Sequence, residues 1–344
     1  MNRQQFVASL LLAGTPISSF GITTSADEPA IPMAPPVLKP GDRIAITSPA
    51  GYISAEAILP AVEQLKSWGL EVVTGSSVGK RDFTFGGTDE ERRYDFQQLI
   101  RDPAVKAILC ARGGYGVVRI IDRIDFSPLA EHPKWIIGFS DITVLHCHLN
   151  RNYGLASLHS KMCNSFPSNW KEADAVQKET ILSIKDALMG KPADYSTSPS
   201  LFNRNGSAEG VLVGGNLKTI ESLAGSKSDL RTTNKILFVE DTGEYLYSID
   251  RMFWNLKRSG KLDHLAGLIV GGFKTKPAED PAEEFGKTLE QIVLEKLDGC
   301  NYPVCFNFPV GHQKNNYALK CGVIHKLTVT STEVRLSEKK KPRY

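Results

Sequence analysis

No two of the six cysteines form a C-x-x-C pair, so neither a zinc ribbon nor a dithiol redox motif is encoded. An excess of one charge is also missing: 41 Lys and Arg stand against 38 Asp and Glu, a formal +3. With its basic residues scattered, the chain gives no reason to invoke nucleic acid. Its single basic run, Lys339-Lys340-Lys341-Pro342-Arg343, lies at the C-terminus and reads as a solvated tail. There is no G-x-x-x-x-G-K-[ST] pattern and no spaced G-x-G-x-x-G with a downstream acid, which argues against a phosphate loop. Internal repeats are absent. The apolar segment at the N-terminus, residues 6–13, is far too short to span a bilayer, so stable membrane insertion is not expected.

What is present suits two domains. The chain has 344 residues, 41% of them hydrophobic, enough for two cores. Arg3 precedes the apolar segment, and small residues such as Thr24-Ser25-Ala26 follow it, the pattern of a secretory signal peptide over residues 1–28. The expectation is an exported, periplasmic protein, or a cytoplasmic one should the leader not function. Residues 29–40 are a Pro-rich linker.

Beyond the linker, short apolar runs alternate with amphipathic ones. The spacing predicts strands at 43–47, 71–73, 107–111 and 135–139, with helices at 55–68, 89–101, 117–121 and 142–150 between and after them. This rhythm belongs to a parallel sheet covered by helices, expected over 41–165. Residues 166–205 read as an interdomain linker with one helix (173–189), then a Pro, Ser and Thr-rich span. A C-terminal domain is expected over 206–338: strands at 235–239, 265–273 and 304–308, helices at 218–223, 248–259 and 285–297, and two short strands within 323–336. The tail is 339–344.

In open sheets, ligands bind beyond the carboxyl ends of strands. At one such end stands Gly138-Phe139-Ser140-Asp141. A serine on a sharp strand-to-helix turn exposes its hydroxyl, while the following N–H groups form an anion-favouring helix start. The same residues also suit a simple helix cap, and Ile142 replaces the second glycine of G-x-S-x-G. At another end, Arg112-Gly113-Gly114-Tyr115-Gly116 is either a tight turn or a loop whose N–H groups point outward as an oxyanion hole. Glu240 and His312 close two further strands. An imidazole that takes the serine proton, oriented by a carboxylate, would complete a nucleophile–acid–base order. Glu240 is equally consistent with a solvated strand-end acid, and His312 with a turn residue. His146 and His148 stand two apart and diverge on a helix, so they do not chelate one ion. His159 is a candidate pocket-lining residue.

Four stretches together resemble the LD-carboxypeptidase family of serine peptidases, which includes murein tetrapeptide carboxypeptidases and microcin C self-immunity proteins. They are Arg112–Gly116, Gly138–Asp141, Gly214-Gly215-Asn216-Leu217 with Leu237–Asp241, and Gly311-His312; the resemblance covers about residues 38 to 336. It implies an α/β fold, with an N-terminal parallel-sheet domain of flavodoxin or glutamine-amidotransferase type. A smaller C-terminal α/β domain with a barrel-like core follows. It further implies catalysis by Ser140, Glu240 and His312, and an oxyanion hole from the backbone of Asp141 and Gly114, with Gly113 as alternate. No cofactor or metal is implied, and a homodimer is.

The implied reaction is hydrolysis of the amide between an L-centre, such as that of meso-diaminopimelate, and the terminal D-alanine of a murein tetrapeptide, in peptidoglycan recycling. Removing only a terminal residue requires a group that holds its carboxylate, for which Arg112 and Arg251 are candidates, with Tyr115 and His159 as further substrate contacts. Two alternatives remain: an immunity-type peptidase acting on aminoacyl-nucleotide amides, and a non-catalytic binder of cell-wall peptides.

Overall fold

β1 (Arg43–Thr47), β2 (Glu71–Thr74), β3 (Val105–Cys110), β4 (Trp135–Gly138) and β5 (Ser157–His159) run parallel. β3 and β4 are almost wholly buried, as continuous apolar runs must be when both sheet faces are covered. The computed structural model that shows this describes residues 33–339. The leader, the start of the linker and all but Lys339 of the basic tail lie outside the described residues.

The helices follow from local chemistry. α1 (Leu59–Ser67) carries Pro60 in its first turn and follows a short 3-10 turn, Glu56–Ile58. α2 (Asp89–Arg101) opens on a capping box between Thr88 and Glu91 and carries three acids in its first turn. The helix expected at 117–121 is instead two 3-10 turns, Val117–Arg119 and Ile121–Arg123. The β-branched run Val117, Val118, Ile120 and Ile121 disfavours a longer helix there. α3 (Pro128–Glu131) is a single turn before β4, and α4 (Thr143–Tyr153) follows it. α4 ends at Gly154, whose φ of +59° suits a left-handed cap.

α5 (Ala175–Leu188) leads to β6 (Asp194–Thr197), a strand inside the span expected to be linker. The second half is built on β7 (Gly206–Asn216), α6 (Leu217–Ser222), β8 (Lys235–Tyr245), α7 (Leu246–Arg258) and β9 (Gly267–Lys276). Then come α8 (Leu289–Lys296), β10 (Val304–Cys305), β11 (Leu319–Cys321), β12 (Ile324–Val329) and β13 (Val334–Glu338). β10 stops short of the expected 304–308, because Asn307 turns to a φ of +60°.

Two mixed sheets result. The first has the order β11-β5-β4-β3-β1-β2, with β11 arriving from the far end of the chain to pair antiparallel with β5. The second, of order β10-β9-β8-β7-β12-β13-β6, is parallel from β7 to β10 and antiparallel beyond. α4 is the joint between them. Its Leu145 and Leu149, with Ile142 just before it, share one apolar cluster with Val213, Leu217, Val239 and Phe253 of the second half. Gly215 permits that approach, since a Cβ there would lie 2.4 Å from the Thr143 hydroxyl. That hydroxyl accepts a hydrogen bond from the Asn216 N–H at 3.0 Å. Among the described residues no helix is long and apolar enough to cross a membrane.

Candidate active site

Ser140 leaves β4 in the left-handed region, at φ +64°. That conformation costs an L-residue roughly 1–2 kcal/mol, so the surrounding packing must hold it there. Gly138 helps on one side: a Cβ there would lie 2.9 Å from Ile142. Gly113 presses from the other, its ideal Cβ position 3.0 Å from Ser140 Cβ and 3.2 Å from Oγ. Only glycine lets the Arg112–Gly116 loop pass this close to the hydroxyl.

That loop is anchored by Asp141, whose Oδ2 accepts the Val117 N–H at 2.9 Å. Burial pushes the Asp141 carboxyl up to about 6, although the hydrogen bond from Val117 and the Arg92 charge pull the other way. The side chain is thus committed to the loop, which leaves its backbone N–H beside Ser140, at the unpaired start of a 3-10 turn. The N–H groups of Gly113 and Gly114 donate to no described residue. Of the two, Gly113 is the one against Ser140.

Glu240 lies on β8 where the pairing with β9 slips: Val239 faces Val270, but Asp241 faces Phe273. Gly271 and Gly272 therefore oppose Glu240 alone, a β-bulge in the middle of β8, which continues to Tyr245 instead of ending at Glu240 as expected. A side chain at Gly271 would collide with Val310 at 2.6 Å. Its absence admits the segment carrying His312. The Glu240 carboxylate, fully buried, accepts the His312 ring Nδ1–H at 2.6 Å and the His312 backbone N–H at 3.1 Å with the same oxygen. Asn316 Oδ1 fixes the preceding residue by accepting the Gly311 N–H at 2.8 Å.

The two segments meet at Phe139. Its ring is 4.8 Å from the His312 imidazole, which sets that ring against the residue before Ser140. Among the described residues no direct hydrogen bond joins the Ser140 hydroxyl to the imidazole; such bonds are often long before substrate arrives. A second polar chain ties the halves. Asn216, bound to Thr143 as above, donates from its side chain to Asp241 Oδ1 at 3.0 Å, next to Glu240.

The other candidates fall elsewhere. His159 is fully buried, its ring set steeply against those of Phe139 and Phe238. Burial holds its imidazole well below the ordinary 6.5. His146 bonds Ser157 and the Gly138 carbonyl, and His148 bonds Ser228. Arg112 is exposed and donates to the Tyr52 carbonyl at 3.0 Å, while Tyr115 is exposed beside Phe85. Arg251 sits on α7 with its guanidinium over the Tyr247 ring, engaged within its own helix. Among the described residues no group of three His, Cys, Asp or Glu is placed to hold a metal. Sequence reasoning missed Asn216, Asn316 and Lys161. For Asn216 the signal was available, an asparagine capping the helix after Gly-Gly; the other two gave none.

The profile of the LD-carboxypeptidase N-terminal domain matches residues 44–160, and that of the C-terminal domain matches 209–327. A probable murein peptide carboxypeptidase of Bacillus subtilis is 34% identical over 290 residues, spanning 84% of this chain and 89% of the relative. The murein tetrapeptide carboxypeptidase of Pseudomonas aeruginosa is 30% identical over 285 residues, spanning 81% and 91%. The crystal structure of muramoyltetrapeptide carboxypeptidase from Oxalobacter formigenes superposes with a TM-score of 0.76 at 28% identity, covering 88% of this chain and all of that one. With both halves matched in order along the same chain, this protein belongs to the LD-carboxypeptidase family and is a serine-type carboxypeptidase.

Proposed function

We propose that Ser140 is the nucleophile, His312 the general base and Glu240 the acid that orients it, acting on the L,D-amide before the terminal D-alanine of murein tetrapeptides. The observation that carries this reading is the buried Glu240 carboxylate holding the His312 ring and backbone at once, beside a serine in a strained turn. His312 takes the Ser140 proton as Oγ attacks the carbonyl carbon. The resulting oxyanion is met by the backbone N–H groups of Asp141 and Gly113, with Gly114 as alternate. His312 then protonates the leaving amine, D-alanine departs, and water activated by the same imidazole releases the acyl group. Glu240 keeps the ring in the tautomer that presents Nε2 to the serine and stabilises the imidazolium.

Export and a homodimer belong to the same proposal; the basic start and short apolar segment support export, where peptidoglycan fragments occur. The division into domains at 41–165 and 206–338 is proposed with it. The test is D-alanine release from a purified tetrapeptide, read by mass. Wild type should release it and Ser140→Ala should not; release by the variant overturns the assignment. Cleavage of aminoacyl-nucleotide amides but not of muropeptides would move the substrate class.

A further inference from the structure

A carboxypeptidase must hold a free carboxylate, and Lys161 is a cation that reaches both catalytic segments. It follows β5 and lies over the Phe139 ring, its Nζ 5.4 Å from the centroid. From there it donates to the Gln313 carbonyl at 2.6 Å. It thus spans from the residue before Ser140 to the residue after His312, touching both catalytic segments. Among the described residues no carboxylate lies within 4 Å of it, so the ammonium has a carbonyl partner but no anionic one. Lys161 also lines a cavity of about 180 Å³ with Ser165, Gln177, Thr180, Ile181 and Lys314, none of them an acid.

We propose that Lys161 is a specificity residue that binds the terminal carboxylate of the substrate through its ammonium. The inference rests on the triad reading above. Lys274 of β9 adds positive charge nearby, and Glu240 of β8 is the facing negative group. Lys161 is half-buried, a setting in which a cation without a carboxylate partner carries a desolvation cost that a substrate carboxylate would relieve. Burial and the Lys274 charge pull the Lys161 ammonium down to about 8, with Glu240 opposing.

The experiment compares a tetrapeptide ending in free D-alanine with its C-terminal amide. For Lys161→Met, kcat/KM on the free acid should fall roughly 10- to 100-fold more than on the amide, the range of a lost charge-assisted bond. Lys161→Arg should restore part of the loss. Equal losses on both substrates would make Lys161 a structural clip and overturn the proposal, as would no loss on either. In wild type, KM for the free acid should rise as pH passes about 8, with the amide flat; parallel curves overturn it without any variant. Any effect of pH on the shared chemical steps acts on both substrates and cancels from the ratio. Activity persisting in Ser140→Ala would instead defeat the triad reading, so the two failures are distinguishable.

Discussion

One oxygen of Glu240 receives both the ring Nδ1–H and the backbone N–H of His312, at 2.6 and 3.1 Å. The double contact fixes the imidazole's position and its tautomer together. Glu240→Gln preserves volume but replaces a charged acceptor with a neutral amide, whose NH2 can favour the wrong tautomer. The expected outcome is a kcat lowered roughly 10³–10⁴-fold with KM little changed, and an unchanged far-UV spectrum. Activity of the Glu240→Gln variant within about tenfold of wild type would show that the carboxylate does not orient the base.

The φ of +64° at Ser140 leads to a stability prediction separable from activity. Ser140→Ala keeps the left-handed cost of about 1–2 kcal/mol. Ser140→Gly removes it, against roughly 0.5–1 kcal/mol of extra chain entropy. Both variants should be inactive, with the glycine form more stable than the alanine form by about 0.5–1 kcal/mol in urea unfolding. The reverse order would mean the turn is not strained.

How much of this site was legible in the sequence differs from residue to residue. The run Trp135–Gly138 followed by Ser140-Asp141 reads as a strand meeting a helix, because burial and 3.6-residue periodicity are local signals. The left-handed turn itself does not read, since it depends on Gly113 arriving from another loop. Glu240 was expected at a strand end, whereas β8 continues past it to Tyr245, and the bulge that aims it appears in sequence only as Gly271-Gly272. β6 and β11 were missed because strands of three or four residues carry too little alternation to identify. Lys161 gave no signal, since its place follows from a contact 152 positions further along the chain.

Asp141 sets stability against function in a pH-dependent way. Its carboxyl, raised from 3.8 to about 6 by burial, binds its proton more tightly folded than unfolded. Its contribution to stability is therefore full below pH 3.8 and lost as pH rises through 6, a difference worth up to about 3 kcal/mol. Asp141→Asn keeps a carbonyl toward the Val117 N–H but never ionises. The variant should be more stable than wild type at pH 8, and the advantage should vanish at pH 4. Its kcat should fall, because a neutral acceptor holds the Gly-rich loop more weakly. Urea midpoints at both pH values check the sign, and a variant less stable at pH 8 would refute it.

Gly311 tests whether His312 reaches its place through backbone alone. A Cβ there would stand 2.4 Å from Glu240 Cβ, at a φ of +104°. Gly225 offers the control: its φ of +76° is also left-handed, but nothing lies within 4 Å of a Cβ. Gly225→Ala should cost only the backbone strain, about 1–2 kcal/mol, and leave kcat intact. Gly311→Ala adds an overpacking cost of about 1–3 kcal/mol and must push Glu240 from His312, so kcat should fall by at least about 100-fold. Equal stabilities for the two variants, measured by chemical denaturation, would mean that the 311 segment yields freely, and that the tight fit of Glu240 under His312 is not what positions the base.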